Sequence, residues 1–322
     1  MSRGPAIKRR RGSLVLCGSL TALLLISACG DSSAARYQPI YWTLIDVPAQ
    51  GLMVFKGSTR AGDLNAWYVD ANLNQAALRS RVVRAPAGQL ETPTSLAAAA
   101  GACVLINGGA FMMDGPQPRH IGLLKVAGIL HQGPVPSVLW DGDRYHVARG
   151  AFGLTAGNHP LIGWIRTGAE GLRSASRLPR HQLGDPDPLF KRSTPAQPWP
   201  VSDALGAGPV LVVDGEVNIT AAAEGFWSGG LQALHPRSAI GYTFSNHLLF
   251  LVVDGRQEGS RGVSIAELAQ HMLDLGSVMA LNLDGGGSSA LVVGGRLLNR
   301  PEGNRRERPV MSAIALICDT VD

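Results

Sequence analysis

The chain has 322 residues, 45% of them hydrophobic and 6% aromatic, with 29 Lys and Arg against 24 Asp and Glu. Arg3, Lys8, Arg9, Arg10 and Arg11 supply five of those cations and residues 1–28 hold no acid, which leaves 24 basic against 24 acidic residues in the rest. The basic pI therefore belongs to the first 28 residues, and no basic face for nucleic acid remains.

Residues 1–28 have the layout of a secretory signal: a cationic start, an apolar run from Leu14 to Ile26 that is too short to cross a bilayer, then small residues. Leu25-Ile26-Ser27-Ala28-Cys29 resembles the bacterial lipobox. Cys29 is accordingly expected to carry the lipid, attaching an exported protein to the cell envelope, on the periplasmic side in a Gram-negative cell. Gly30, in place of an acid, points to the outer membrane. Residues 29–40 read as a tether and 41–322 as one large domain, long enough to bury a full core and free of internal repeats.

Within that domain short apolar runs dominate, among them "AWYVDANL", "CVLINGG", "GLLKVAGIL", "PVLVVDGEV", "HLLFLVVDGR", "VMALNLDGG" and "VMSAIALIC". Each is ended by Gly, Asp or Pro and reads as a strand closed by a tight turn. Helical signals are few. "TPTSLAAAAGA" has Thr94 or Ser95 as its cap, and "VSIAELAQHMLDLG" has Ser264 as cap, Glu267 three residues on and Gly276 past the end. The fold class is thus α+β, with strand-rich mixed or antiparallel sheets and a few helices. The proline-rich part 160–203, with "GDPDPLFKRSTPAQPWP", reads as a surface insertion. With Cys17 in the signal and Cys29 lipidated, Cys103 and Cys318 remain; an oxidising compartment permits a bridge between them, and burial as free thiols is the equal alternative.

"LNLDGGGSSALVVGG", residues 281–295, places one carboxylate, three glycines and two serines between two apolar runs. Three glycines cost backbone entropy and pack nothing, so something must approach the backbone closely there. Gly285, Gly287 and Ala290 have dinucleotide-fingerprint spacing, but a strand pair follows where that motif needs a helix N-terminus. No lysine follows for a Walker loop. The hydrolase order Ser, Asp, His fails because all eight histidines precede Ser288; a His247, Asp254, Ser288 order stays open. No strong metal motif is present, and whether Asp254 and Asp284 share a divalent ion is not decided by their spacing. No cofactor is expected. What fits is an anion or sugar site lined by backbone N–H groups, with Ser288 and Ser289 as donors beside Asp284.

"INGGAF" (106–111), "GAGPVLVVDG" (206–215), "RSAIGY" (237–242), "LVVDGR" (251–256), "IAELAQHM" (265–272), "LNLDGGGSSAL" (281–291) and "ERPV" (307–310) occur together and in order. This set, covering roughly residues 100–315, resembles the phosphodiester glycosidase family. The resemblance implies hydrolysis of a glycosyl-1-phosphodiester, in envelope or exopolysaccharide metabolism for an exported protein. Asp284 is then the first candidate for the carboxylate at the anomeric centre, Asp254 the second and Glu307 the third. Arg237 and Arg308 are the phosphate candidates, because a guanidinium fork holds two oxygens. Asn107, Gly108, Gly109, Asn282, Gly285, Gly286, Gly287, Ser288 and Ser289 complete the candidate substrate-binding set. An ordinary glycosidase needs two carboxylates, but a phosphate ester leaves readily, so one carboxylate plus cations suffices.

The plainer readings are definite too. Asp214 and Asp254 both sit in Asp-Gly pairs that first of all make hairpin turns; Arg308 in its charge run is a surface partner of Glu307; His120 is assigned no role. Ala110 stands where the family often has a second aromatic, which implies an altered pocket. Two other classes compete: a non-catalytic glycan-binding envelope lipoprotein, and a serine hydrolase using Ser288. Oligomeric state is not encoded in any motif.

Overall fold

The computed structural model describes residues 37–113, 115–175, 182–183, 196–227, 229–303 and 306–319. The expected export signal, Cys29, most of the expected tether and Arg305 lie outside them.

Three antiparallel sheets carry the molecule. The largest has eight strands in the order 41–49, 52–58, 66–72, 247–253, 237–242, 279–282, 210–213, 216–217. A seven-stranded sheet runs 196–198, 171–175, 160–168, 149–154, 203–206, 124–126, 129–132, and a five-stranded sheet runs 296–297, 291–293, 104–107, 312–318, 78–84. The unbroken apolar strand His247–Val253 shows why such runs form: Leu248, Phe250 and Val252 enter the central core, while Leu249, Leu251 and Val253 pack on the opposite face under a helix. Strand Val104–Asn107 does the same, with Val104 and Ile106 in the central core and Leu105 beneath the other helix.

Among the described residues there are two α-helices, α1 (Pro93–Ala100) and α2 (Ile265–Asp274), so the expected strand-rich sheets with few helices are found, and the class is mostly β in place of α+β. Elsewhere the apolar runs are too short and too quickly ended by turn residues to continue into helices. In α2 the Ser264 hydroxyl accepts from Glu267 N and the Glu267 carboxylate accepts from Ser264 N, the capping box read in the sequence. Arg261 clamps that box, donating to Glu267 at 2.7 Å and to Asp63 at 3.0 Å. For α1 the cap is Thr92, whose hydroxyl accepts from Ser95 N, and not Thr94 or Ser95. Pro93 follows it as the first helical residue, where a missing N–H costs nothing.

The surface-insertion reading does not hold for 160–175 and 196–203. Strands Pro160–Gly168, Gly171–Ala175 and Ala196–Pro198 belong to the seven-stranded sheet, and Trp164, Ile165, Trp199 and Val201 are buried. Glycines concealed the pattern: a Cβ at Gly153 would come within 2.7 Å of the Trp199 ring, so the ring packs where a side chain would show periodicity.

Cys103 and Cys318 form a disulfide across paired strands, with Cα atoms 5.9 Å apart and 215 residues between them in sequence. So long a closed loop restricts the unfolded chain strongly. Reduction, or the Cys103→Ser and Cys318→Ser pair, is expected to lower unfolding stability by about 2–5 kcal/mol. Urea midpoints with and without dithiothreitol measure it; unchanged midpoints would show that the bridge does not constrain the domain.

Candidate active site

The three sheets meet at the glycine turn. Strand Met279–Asn282 of the eight-stranded sheet leads into it and strand Leu291–Val293 of the five-stranded sheet leaves it. Strand Asp203–Gly206 of the seven-stranded sheet passes through Ala207 and the cis Gly208–Pro209 bond into the eight-stranded sheet alongside. A cavity of about 220 Å³ opens at this junction, bordered by Ala110, Arg149, Gly208, Phe226, Asn282 and Asp284 among others. That volume is below the roughly 300–1,000 Å³ of pockets for drug-sized ligands and suits one small ring. Ala110 lies on its wall.

The glycines are required chiefly by the protein's own backbone. Gly286 takes φ +61 and donates from N to Pro236 O at 2.9 Å, and a Cβ on Gly285 would stand 3.1 Å from that same carbonyl. A Cβ on Gly108 would lie 2.7 Å from Ser312 O, and one on Gly109 would strike the Gly206 carbonyl. On the outer side of the turn, a Cβ on Gly287 would stand 3.2 Å from Glu302 Oε2 and 3.4 Å from Arg308 Cδ. Side chains at these positions would push the sheets apart or displace the charged groups above the turn.

Asn107 is a brace. It is fully buried; its Oδ1 accepts from Ser238 Oγ at 2.7 Å and from Ala290 N at 3.0 Å, and its Nδ2 donates to Asp284 O at 2.8 Å. Both ends of the turn are thereby fixed by one amide, which has no capacity left for substrate. Asp254 acts from behind. Its Oδ1 accepts from Asn299 Nδ2 at 3.0 Å and from Arg300 N at 3.1 Å, while Asn299 holds Ser289 O and Leu291 N at 2.9 Å each. A carboxylate so enclosed positions the turn's exit.

Asp284 is the carboxylate at the cavity. It is half-buried, and Gly285 N donates to its Oδ1 at 3.1 Å. Burial pushes its carboxyl above the ordinary carboxylate range, and the Ser288 side chain, the Arg308 guanidinium and the Gly285 N–H each draw it back. The Ser288 influence comes without a hydrogen bond of standard geometry, for Ser288 Oγ and Ser289 Oγ are buried with no hydrogen-bond partner. Asn282, two residues before Asp284, donates from Nδ2 to Gly208 O at 2.8 Å, and its Oδ1 has no partner at the cavity edge. Such an orphaned acceptor is costly unless a ligand or water supplies a donor.

Of the cations, Arg308 reaches the site: its guanidinium lies 5.5 Å from the Phe111 ring centre and bears electrostatically on Asp284. Arg237 is turned to another task. It is 5% exposed and donates to the carbonyls of Val263 (2.9 Å), Gly230 (3.1 Å), Leu231 (3.0 Å) and Ala233 (3.1 Å), tying down the loop that ends at Leu231 on the cavity wall. Glu307 is also diverted, its Oε2 accepting from Thr94 N and Thr94 Oγ1 at 2.9 Å each in the first turn of α1. The His247, Asp254, Ser288 order is not assembled, because His247 Nδ1 meets Asp70 at 2.6 Å while Asp254 holds Asn299. His120 is buried against Ser312 Oγ at 3.0 Å, and burial pulls its pKa down to about 4. Among the described residues no three His, Cys, Asp or Glu side chains group as metal ligands.

Sequence reasoning missed Arg149, Phe226 and Glu224, all remote from the recognised motifs. Arg149 borders the cavity and lies 4.2 Å over the Phe226 ring. Glu224 is fully buried behind Gly150 and Gly208. The Arg256–Glu302 ion pair above the turn was also missed; Arg256 closes "LVVDGR", but nothing in the sequence marks Glu302 as its partner.

Three antiparallel sheets thus converge on a small cavity edged by the Asp284 carboxylate and an orphaned amide oxygen. A family model for phosphodiester glycosidases matches residues 100–317, and the chain belongs to that family. It is 38% identical over 71 residues to the N-acetylglucosamine-1-phosphodiester alpha-N-acetylglucosaminidase of Bos taurus, covering 22% of this chain and 13% of that protein. A prophage-derived Bacillus subtilis protein is 39% identical over 69 residues, 21% of this chain and 11% of its own length. The chain thus spans a small part of the curated relatives it matches. The fold is similar to a hypothetical protein from Synechocystis (TM-score 0.59, 20% identity, 88% of this chain and 65% of that one). It is also similar to the catalytic domain of the zebrafish N-acetylglucosamine-1-phosphodiester alpha-N-acetylglucosaminidase (TM-score 0.53, 18% identity, 88% and 84%).

Proposed function

We propose that the protein is an exported, lipid-anchored hydrolase that cleaves a glycosyl-1-phosphodiester of the cell envelope or its exopolysaccharide. Family membership supports the reaction class, and the observation that carries the reading is Asp284, a carboxylate at the edge of a small cavity with the Arg308 charge acting on it. The sugar enters the cavity, where Asn282 Oδ1 accepts from a ring hydroxyl. Its phosphodiester faces Arg308. Asp284 stabilises positive charge at the anomeric carbon and takes a proton from the attacking water. The new bond joins water oxygen to that carbon; the carbon–oxygen bond to phosphate breaks, its electron pair leaving on a phosphate monoester whose charge Arg308 receives.

The test is incubation of the mature protein with a panel of sugar-1-phosphodiesters, reading free sugar by mass spectrometry. Release of sugar and phosphate monoester is expected; binding without any product would favour the non-catalytic glycan-binding reading.

The pH dependence has a definite sign. Asp284 acts ionised, and burial raises its pKa, so kcat/KM should rise with pH through an acid limb above the ordinary carboxylate value of about 4. Arg308→Ala removes a charge that favours ionisation, so the limb should move further up while KM increases. A limb at or below the ordinary value, unmoved in the variant, would separate Asp284 from the titration.

A further inference from the structure

Arg149 makes no contact ion pair among the described residues, although the buried Glu224 carboxyl acts on its charge from nearby. The Arg149 Nε donates to the backbone carbonyl of Glu224 at 3.2 Å and its Nη2 to that of Gly225 at 3.5 Å. The nearby Glu224 carboxyl is already engaged by Gly150 N at 2.7 Å, Val210 N at 2.8 Å, Trp164 Nε1 at 3.3 Å and the Thr220 hydroxyl. The Phe226 ring covers one face of the guanidinium, and burial pulls its pKa down while the Glu224 carboxyl works the other way. Yet Arg149 borders the same cavity as Asp284.

Arg308 acts electrostatically on Asp284. Arg149 borders the cavity from the strand Arg149–Leu154, against Phe226. A phosphodiester carries one negative charge, which the exposed Arg308 beside Phe111 can answer. A ring seated against Asp284 and Asn282 would present its far substituents to Arg149. A neutral sugar would leave a partly desolvated guanidinium unmatched there, whereas an oxyanion would pair with it through charge-assisted bonds.

Resting on the hydrolase reading above, we propose that the sugar itself carries a second anionic group, a ring carboxylate or a sulfate ester, which Arg149 binds inside the cavity. The substrate class is then an acidic glycosyl phosphodiester.

The test has a hydrolysis arm and a binding arm. In the first, kcat/KM is compared for glucosyl, glucuronosyl and 6-sulfoglucosyl phosphodiesters of one alcohol, with wild type, Arg149→Gln and Arg149→Lys. Wild type should prefer an acidic sugar by roughly 10- to 100-fold. Arg149→Gln should erase the preference, and Arg149→Lys should keep part of it. Whichever acidic sugar gains identifies the substituent. In the second arm, glucose 1-phosphate, glucuronic acid 1-phosphate and glucose 6-sulfate 1-phosphate are titrated calorimetrically against wild type and Arg149→Gln, with urea midpoints confirming that both are folded. This arm decides the proposal even if no phosphodiester is cleaved, an outcome that would overturn the hydrolase reading alone. Equal binding of acidic and neutral sugars by wild type, no binding of either, or an equal loss on all three in Arg149→Gln overturns it.

Discussion

Asp284→Asn should lower kcat on a cleaved sugar phosphodiester by roughly 10²–10⁴-fold, the range lost with a positioned acid–base group. KM should change little, because the amide keeps the shape of the carboxylate and the neighbouring Asn282 still holds the ring. Stability should also hold: the hydrogen bond that Gly285 N donates to Oδ1 is one an amide oxygen accepts equally well. Steady-state kinetics with a urea denaturation control measure both. The contrast with the glycan-binding reading is direct, since there the variant would alter affinity and no product would exist to lose. Full turnover by the variant would remove Asp284 from the chemistry.

The largest effect on stability is expected at Glu224→Ala. This carboxyl is fully buried and accepts from two backbone N–H groups, an indole and a hydroxyl, joining Gly150 and Trp164 of the seven-stranded sheet to Val210 of the eight-stranded one. Its removal strands four buried donors and opens a void at the sheet junction, a cost of about 3–5 kcal/mol. Glu224→Gln keeps one acceptor oxygen but turns an amide N–H toward other donors, so its loss should fall between wild type and Ala. Urea midpoints for the three proteins give the order; an Ala variant within about 1 kcal/mol of wild type would mean that the junction is held by other contacts.

What could be read in advance follows a physical division. Local signals worked: the capping box of α2, closed by Ser264 and Glu267, is written in four consecutive residues, and apolar runs such as His247–Val253 could only be strands. Glycines at 285–287 announced close approach, but the partners, Pro236 on one side and Glu302 and Arg308 on the other, are set by the fold. Side-chain direction was the weak point. Asn107 and Arg237 have the chemistry of ligand-binding residues, yet Asn107 is consumed by groups from distant segments and Arg237 by backbone carbonyls of the preceding loop and of Val263, which motif spacing does not reveal. Arg149 and Glu224 were silent for the converse reason. They lie outside the motif set, and their importance comes from the pairing of Gly150–Leu154 with Leu161–Trp164 and from the approach of Val210, both products of tertiary structure. Both helices read from their caps are present, but at 8 and 10 residues they are too short to offset the strands, so the class is mostly β.

The central claim is that Asp284 acts at the anomeric carbon of a sugar phosphodiester held at the junction of three sheets. Hydrolysis in ¹⁸O-labelled water, with both products analysed by mass spectrometry, tests it most directly. The label should appear on the anomeric hydroxyl of the released sugar, with none in the phosphate monoester. Label in the phosphate would place the attack at phosphorus and contradict the account.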